Sequence, residues 1–364
     1  MMIRNHNTST PTFQYSSTHL QIRSSSSGWR SLLYFLALTV LAVSGCAAPA
    51  QQVAGPTAKP YKMTSSGLPE MEKVVVKPGD TLSSLALKYL GDESMHWFIA
   101  DFNDIRAIAP GQVLLIPLGP YERGGLKPGG YQVVPVLCYH NFSRTESDAM
   151  TVTERAFEEQ MRLLKDGGYR VITIDEFFDF LEFKRQIPRK SVVITIDDGW
   201  RSLYEIAFPI LKKYGYRATL FVYTGLILDT EKTLNWDLIR TMSRDVIDVQ
   251  CHTKTHRNLV TKYSNESFKE YFDALKTELV ESARIIKKNL GKDVKYLAYP
   301  YGDTSHLVTA LTMKLGYRGA FTVNREGNPF FADPYRVHRS MIMGTHRTSD
   351  FEKNLVTFGD KALD

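Results

Sequence analysis

The chain has 364 residues, with 45 Lys plus Arg against 39 Asp plus Glu, 43% apolar residues and three cysteines. That length accommodates one large domain or two to three smaller ones, and the composition excludes a wholly disordered, collagen-like or polytopic membrane chain. Three cysteines exclude a disulfide scaffold, and a net charge of +6 implies a polyanion partner only if the basic residues cluster.

Residues 1–45 hold Arg4, Arg23 and Arg30 and no Lys, Asp or Glu, so they carry half of that net charge and leave +3 downstream. No nucleic-acid partner is expected from so small an excess. After Arg30 the run from Leu32 to Val43 is broken only by Thr39. It is short for a bilayer span and has the charged, apolar and small-residue order of a secretory signal. Leu41-Ala42-Val43-Ser44-Gly45-Cys46 resembles a bacterial lipobox. That resemblance implies cleavage before Cys46, its acylation, and a lipid anchor in the cell envelope; Ala47 in place of Asp implies the outer membrane, facing the periplasm. A plain signal cleaved at a small residue is the alternative. The Ser/Thr-rich stretch before Arg30 is long for an n-region, which points to a start downstream of Met1. Residues 46–72, rich in Ala, Pro, Gly, Gln and Ser, read as a tether.

Residues 73–118 change character. Val74-Val75-Val76 predicts a strand and Pro78-Gly79 a turn, and Asp80-Thr81 caps a helix with Leu82, Leu85, Ala86 and Tyr89 on one face. Trp97, Ile99 and Phe102 belong to a second helix closed by Asn103, and Pro110-Gly111-Gln112 leads into a strand from Val113 to Ile116. With Val76-Lys77-Pro78-Gly79-Asp80-Thr81-Leu82 at its start, this βααβ module resembles a LysM domain. The resemblance implies binding to N-acetylglucosamine-containing glycans such as peptidoglycan, with Gly79, Asp80, Thr81 and Ile108 near the sugar. Helix capping alone is an equal account of Asp80. Residues 119–131, with Pro120, Gly124, Gly125, Pro128, Gly129 and Gly130, read as a linker.

In residues 132–364, β-branched runs alternate with helical patterns. Strands are expected from Val134 to Tyr139, Arg170 to Ile174, Ser191 to Ile196, Ala218 to Tyr223, Val246 to Cys251 and Tyr296 to Ala298. Helices are expected from Glu154 to Asp166, Ile206 to Tyr214 and Phe268 to Leu290. Such alternation implies a parallel α/β sheet or barrel, whose working residues gather at the C-terminal ends of strands. Those ends carry His140, Asp197-Asp198, His252 and Tyr299-Pro300-Tyr301. Adjacent carboxylates repel, and one of them needs a proton or a cation. His252 and His256 with one carboxylate form a three-ligand divalent-metal set with an open position. A non-haem iron oxygenase would use the same set, but leaves the second Asp without a role.

Thr195-Ile196-Asp197-Asp198-Gly199 and His252-Thr253-Lys254-Thr255-His256 together resemble the first two motifs of the polysaccharide deacetylase family, carbohydrate esterase family 4, over about residues 132–345. The resemblance implies a distorted (β/α)7-type barrel and hydrolysis of acetamide groups on a GlcNAc-containing cell-wall or exported glycan. It implies Asp197 as general base and Asp198, His252 and His256 as ligands of a divalent metal, with zinc the expected ion. The backbone N–H of Tyr301 is the implied oxyanion donor. The sequence departs from the family where an Arg is usual, at Ala298. Leu137-Cys138-Tyr139-His140 resembles the early Tyr-His of the exopolysaccharide-deacetylase branch and implies His140 as general acid, and Arg339 is the candidate for the missing guanidinium. The alternative function is a catalytically inactive glycan-binding anchoring lipoprotein. His306, His338 and His346 read as surface or structural, Cys138 and Cys251 as core fillers with a disulfide between them left open, Trp200 as a groove wall or barrel plug, and Asp175 and Glu176 as helix-start residues.

Overall fold

The computed structural model describes residues 69–360 apart from Arg123, Pro128 and Asp229. The signal, most of the tether and Cys46 lie outside the described residues, and no described helix is long and apolar enough to cross a membrane.

Strand β1 (Met71–Val75), helices α1 (Leu82–Leu90) and α2 (His96–Asn103) and strand β2 (Val113–Pro117) follow in the βααβ order. β1 and β2 pair antiparallel, and Val74, Val76, Leu85, Ala86, Ile99, Leu114 and Ile116 form the core between sheet and helices. Thr81 caps α1 in a reciprocal pair with Ser84. Asp80 does not share that duty: its carboxylate accepts from the Lys77 N–H at 2.7 Å and closes the preceding turn, where Gly79 has φ 89°. Asn103 is the last residue of α2, and its side chain donates to the Ile99 and Leu115 carbonyls while accepting from the Leu115 N–H. One amide thus fastens helix to sheet.

The expected linker is structured. Tyr121 packs on Phe98 and Phe102, and the chain then forms β3 (Leu126–Lys127) and β4 (Gly130–Val134), a strand that begins inside the predicted linker. Asp101 of α2 accepts from the Arg189 N–H at 2.9 Å, and the Arg170 guanidinium meets His96 at 2.9 Å.

The larger part of the chain continues with β5 (Val136–Tyr139), β6 (Asn141–Ser143), β7 (Thr151–Thr153), α3 (Glu154–Asp166), β8 (Arg170–Val171) and α4 (Ile174–Leu181). Then come β9 (Ser191–Asp198), α5 (Phe208–Tyr214), β10 (Ala218–Val222), α6 (Trp236–Ser243), β11 (Ile247–Cys251), α7 (Phe268–Leu290) and β12 (Tyr296–Ala298). The chain ends with α8 (His306–Lys314), β13 (Gly319–Phe321), β14 (Asn328–Pro329), β15 (Ser340–Met341), α9 (Thr348–Glu352) and β16 (Phe358–Gly359). Seven strands run parallel in the order β13-β12-β11-β10-β9-β5-β15. Val337, just before β15, bridges to Phe321 of β13. The curl therefore returns on itself, as the distorted (β/α)7-type expectation requires.

Strand periodicity sorts the side chains into two layers. Val193, Phe221, Tyr296, Ala298, Phe321 and Val337 form one cluster with Phe177 and Phe178 of α4, inside the curl. Ile194, Ile196, Leu220, Val222 and Val249 form the other, under α3, α5, α6 and α7. Two sequence expectations need correction. Pro135, which has no N–H for the ladder, divides the strand predicted from Val134 to Tyr139 into β4 and β5. The strand predicted from Arg170 to Ile174 stops at Val171, because Thr173 and Glu176 build a capping box that starts α4.

Because Asn103 satisfies three backbone groups, Asn103→Ala should destabilise the βααβ module by about 2 kcal/mol. Calorimetry should show this as an earlier first transition with the barrel transition unmoved; an unchanged first transition would contradict the assignment.

Candidate active site and metal centre

β9 ends in two acidic residues, and the backbone sends them to different partners. Asp197 continues the inward alternation of Val193 and Thr195 and is almost wholly buried. Arg339, equally buried, enters from beside β15 and donates to it twice, Nη1 to Oδ1 at 2.7 Å and Nη2 to Oδ2 at 2.8 Å. This planar fork is the strongest geometry available to a carboxylate. The Arg339 Nε–H is taken by the Thr322 carbonyl, and the guanidinium lies 5.4 Å from the Phe221 ring centre. Burial alone would raise the Asp197 pKa, but the Arg339 charge and hydrogen bonds, together with His252 and His140, outweigh it and hold the carboxyl well below the usual carboxylate range.

Asp198 has φ 78°, which ends the strand and turns its carboxylate toward the barrel mouth. Its Oδ2 accepts from the Trp200 indole N–H at 3.0 Å. Its Oδ1 lies 3.7 Å from Nε2 of both His252 and His256. His252 sits one residue beyond β11, and the Ala298 carbonyl, 2.8 Å from its Nδ1, is an acceptor. That nitrogen therefore carries the proton, and Nε2 presents a lone pair to Asp198. One ligand atom each from Asp198, His252 and His256 lies within 4.8 Å of the others. Two imidazoles and a carboxylate at this separation suit a divalent cation with a vacant side. Burial lowers the His256 pKa, and the neighbouring His252 lowers it further, which favours the neutral form a ligand must have.

The other predicted residues fall around this centre. His140 follows β5, the strand beside β9, and one of its ring nitrogens lies within 4.8 Å of both the Asp197 carboxylate and the Cys138 sulfur. Burial lowers its pKa, against the opposing pull of Asp197 and Asp198. Tyr301 has φ 63° in the turn after β12, and its exposed ring meets the His256 ring edge-on at 4.8 Å between centres. Tyr223 flanks the same imidazole at 5.2 Å. Gly79, Asp80, Thr81 and Ile108 are not part of this centre. They lie on two loops of the βααβ module, which the Val76–Gln112 and Gly111–Val76 backbone bonds hold side by side.

Residues 184–320 match the family described as polysaccharide deacetylase, and residues 74–117 match the LysM domain. Over 203 residues the chain is 30% identical to the poly-beta-1,6-N-acetyl-D-glucosamine N-deacetylase of Staphylococcus epidermidis, covering 53% of this chain and 68% of that protein. The chain belongs to the polysaccharide deacetylase family. The structure of IcaB from Ammonifex degensii superposes on 62% of this chain and 97% of its own with a TM-score of 0.55 at 25% identity. Streptococcus pyogenes deacetylase PplD in complex with acetate shares the fold, with a TM-score of 0.55 and 24% identity over 62% of this chain and 98% of its own.

Within this deacetylase, His140 and Arg339 fall outside the matched family span; the pairing of β5 with β9 brings His140 to Asp197, and the barrel closure brings Arg339. Several contacts were not legible in the sequence. Trp200, expected as a wall or plug, is the hydrogen-bond donor that orients Asp198. Cys138 and Cys251 are free and buried in the core, and their thiols also reach polar neighbours, Cys138 at 3.6 Å from Asp197 Oδ2 and Cys251 at 3.3 Å from Ser282 Oγ. Glu278 and Ser282 of α7 bond the loop between the two histidines. Their only sequence signal is a Glu and a Ser on the buried stripe Tyr271, Leu275, Leu279 and Ile286. His338 pairs with the exposed Glu326 and His346 accepts from the Met343 N–H, both structural contacts, and His306 is exposed.

Arg339→Met should leave the Asp197 charge buried and unpaired, at about 3–5 kcal/mol of stability at pH 7. The native carboxyl pKa is depressed, so the pair's contribution is complete above about pH 4 and is lost as pH falls through the lower native value. The gap between wild type and variant, measured by denaturant unfolding, should therefore narrow below about pH 4; a gap independent of pH would contradict the pairing.

Proposed function

We propose that this chain is a metal-dependent de-N-acetylase of a GlcNAc polymer, with Asp198, His252 and His256 holding the cation, zinc in the first instance. The observation that carries the reading is the convergence of Asp198 Oδ1 and the two Nε2 atoms, with the Ala298 carbonyl fixing the His252 tautomer. The cation's share is Lewis acidity, which polarises an amide carbonyl and acidifies a water beside Asp197.

The protein's own groups supply the rest. Asp197, kept ionised by Arg339, is the general base that takes the water proton, and its low basicity suits a donor already acidified. The Tyr301 N–H, on a turn held in an unusual backbone conformation, is the donor to the developing oxyanion. His140, beside Asp197, is the general acid that delivers a proton to the departing nitrogen, so that acetate and a free amine leave. The exposed Tyr301 and half-buried Tyr223 rings beside His256 offer apolar faces to a sugar.

The inactive-binder alternative rested on the absence of an Arg at position 298. Arg339 places a guanidinium on Asp197 from the segment before β15, which favours the enzyme. The names of the staphylococcal relatives favour a β-1,6-linked N-acetylglucosamine polymer as substrate over peptidoglycan. The LysM module, through Gly79, Asp80, Thr81 and Ile108, would hold the chain near GlcNAc-containing glycan. A lipid on Cys46 would hold it at the outer membrane facing the periplasm, which intact mass measurement of the membrane-extracted protein, against Cys46→Ser, decides.

Purified protein with added Zn or Co should release acetate from poly-GlcNAc or chitooligosaccharides. Asp197→Asn and His140→Ala should each lower kcat by about 10²–10⁴-fold with little change in KM. No release by wild type on these substrates or on peptidoglycan, or full activity in Asp197→Asn, would sink the proposal.

A further inference from the structure

The segment from His252 to His256 has a backbone that few sequences hold. Thr253 has φ 70° and His256 φ 62°, a region closed to most residues carrying a Cβ and most of all to a β-branched one. The excursion is what turns both imidazoles to one carboxylate oxygen. Its polar groups are met one by one. The Thr253 carbonyl accepts from Ser282 Oγ at 2.9 Å and from the Thr224 N–H, and the Lys254 carbonyl from the Gly225 N–H at 2.7 Å. Gly225 is needed there because a Cβ would lie 2.6 Å from that oxygen. The His256 N–H goes to Thr253 Oγ1.

The N–H groups of Lys254 and Thr255 converge on a single oxygen, Glu278 Oε2, at 2.9 and 2.8 Å, and Thr255 Oγ1 donates to Oε1 at 2.6 Å. Glu278 is 6% exposed, and none of the ion pairs among the described residues includes it. A buried carboxylate without a cation is costly unless its charge is met by hydrogen bonds. Every bond it makes is to this loop.

We propose that Glu278 is the positioning residue of the metal centre: its carboxylate draws the Lys254 and Thr255 N–H groups onto α7 and so fixes the loop conformation in which His252 and His256 face Asp198. The proposal rests on the metal-centre reading above, and it assigns a function to a residue that touches neither cation nor substrate. Glutamine at 278 keeps one carbonyl oxygen for the two N–H groups and loses the charge, whereas alanine leaves both donors buried without an acceptor.

The full chain is titrated with Co(II), whose visible spectrum reports ligand geometry, as wild type, Glu278→Ala, Glu278→Gln and Leu275→Ala. Leu275 is buried one turn away on the same helix and makes no bond to the loop, so its truncation controls for loss of stability alone. Glu278→Ala should bind Co(II) about 10–100-fold more weakly with an altered spectrum, Glu278→Gln should fall between it and wild type, and Leu275→Ala should melt earlier but bind as wild type. Wild-type affinity and spectrum in both Glu278 variants, or an equal loss in Leu275→Ala, would overturn the proposal. Amide exchange separates it from the metal reading. A wild type that binds no Co(II) contradicts the metal centre, and Lys254 and Thr255 amides that are slow in wild type and fast in Glu278→Ala still support the clamp. Equal exchange in the two overturns it.

Discussion

Two neighbouring carboxylates at the end of one buried strand set the terms for the rest of this molecule. Asp197 and Asp198 cannot both keep a full charge in a low-dielectric barrel mouth without cationic partners. The fold meets this by separating them. Asp197 stays in register, faces the barrel interior and receives both arms of the Arg339 fork. Asp198, the last paired residue of the strand, is turned toward the mouth by its positive φ, is held on one oxygen by Trp200, and offers the other to two imidazoles. Charge neutralisation by an arginine thus makes a permanent anion, and the proposed metal site is where neutralisation is left to a cation.

The barrel supplies rigidity and the loops supply direction. Phe221, Tyr296 and Phe321 pack the interior below Asp197, with α4 closing the far end through Phe177 and Phe178, so the mouth stands on a filled core. Above that core, four of the six non-glycine residues with positive φ among the described residues, Asp198, Thr253, His256 and Tyr301, cluster around the proposed centre. Each costs about 1–3 kcal/mol against a relaxed backbone. Such conformations persist only where neighbours over-determine them, and here the neighbours are visible in Trp200, Ser282, Glu278 and Gly225. The strain is localised where side chains must be aimed, and the strands beneath are regular.

The parts of this arrangement that follow from local pattern were legible in the sequence. Parallel strands were read from β-branched runs, and their polar ends gave His140, Asp197, Asp198, His252 and His256, because a polar residue at the end of an apolar run announces itself. Helices α3 and α7 were read to their termini, since both carry strong period-3.6 stripes and Thr153 and Ser267 caps. What depends on tertiary closure was not legible to the same degree. The fork from Arg339 to Asp197 spans 142 residues of sequence and exists because the segment before β15 bridges β13 and β15 pairs with β5. Helices α6 and α8 were not expected, and of α4 only its acidic start at Asp175 and Glu176 was. For α4, the β-branched Val171 and Ile172 ahead of the Thr173 capping box extended the strand reading past its real end. Glu278 was hidden because a charged residue in a long amphipathic helix reads as solvent-facing unless its position on the stripe is weighed.

The central claim is that one cation binds between Asp198, His252 and His256 and that Asp197, an atom's reach away, is reserved for Arg339 and the chemistry. Anomalous diffraction from crystals grown with zinc, recorded on both sides of the zinc edge, tests it most directly. The account predicts a single strong peak bonded to Asp198 Oδ1 and to Nε2 of His252 and His256, with the Arg339 fork on Asp197 intact. A peak ligated by Asp197, His140 and Cys138 instead, or no peak at Asp198 at all, would contradict it.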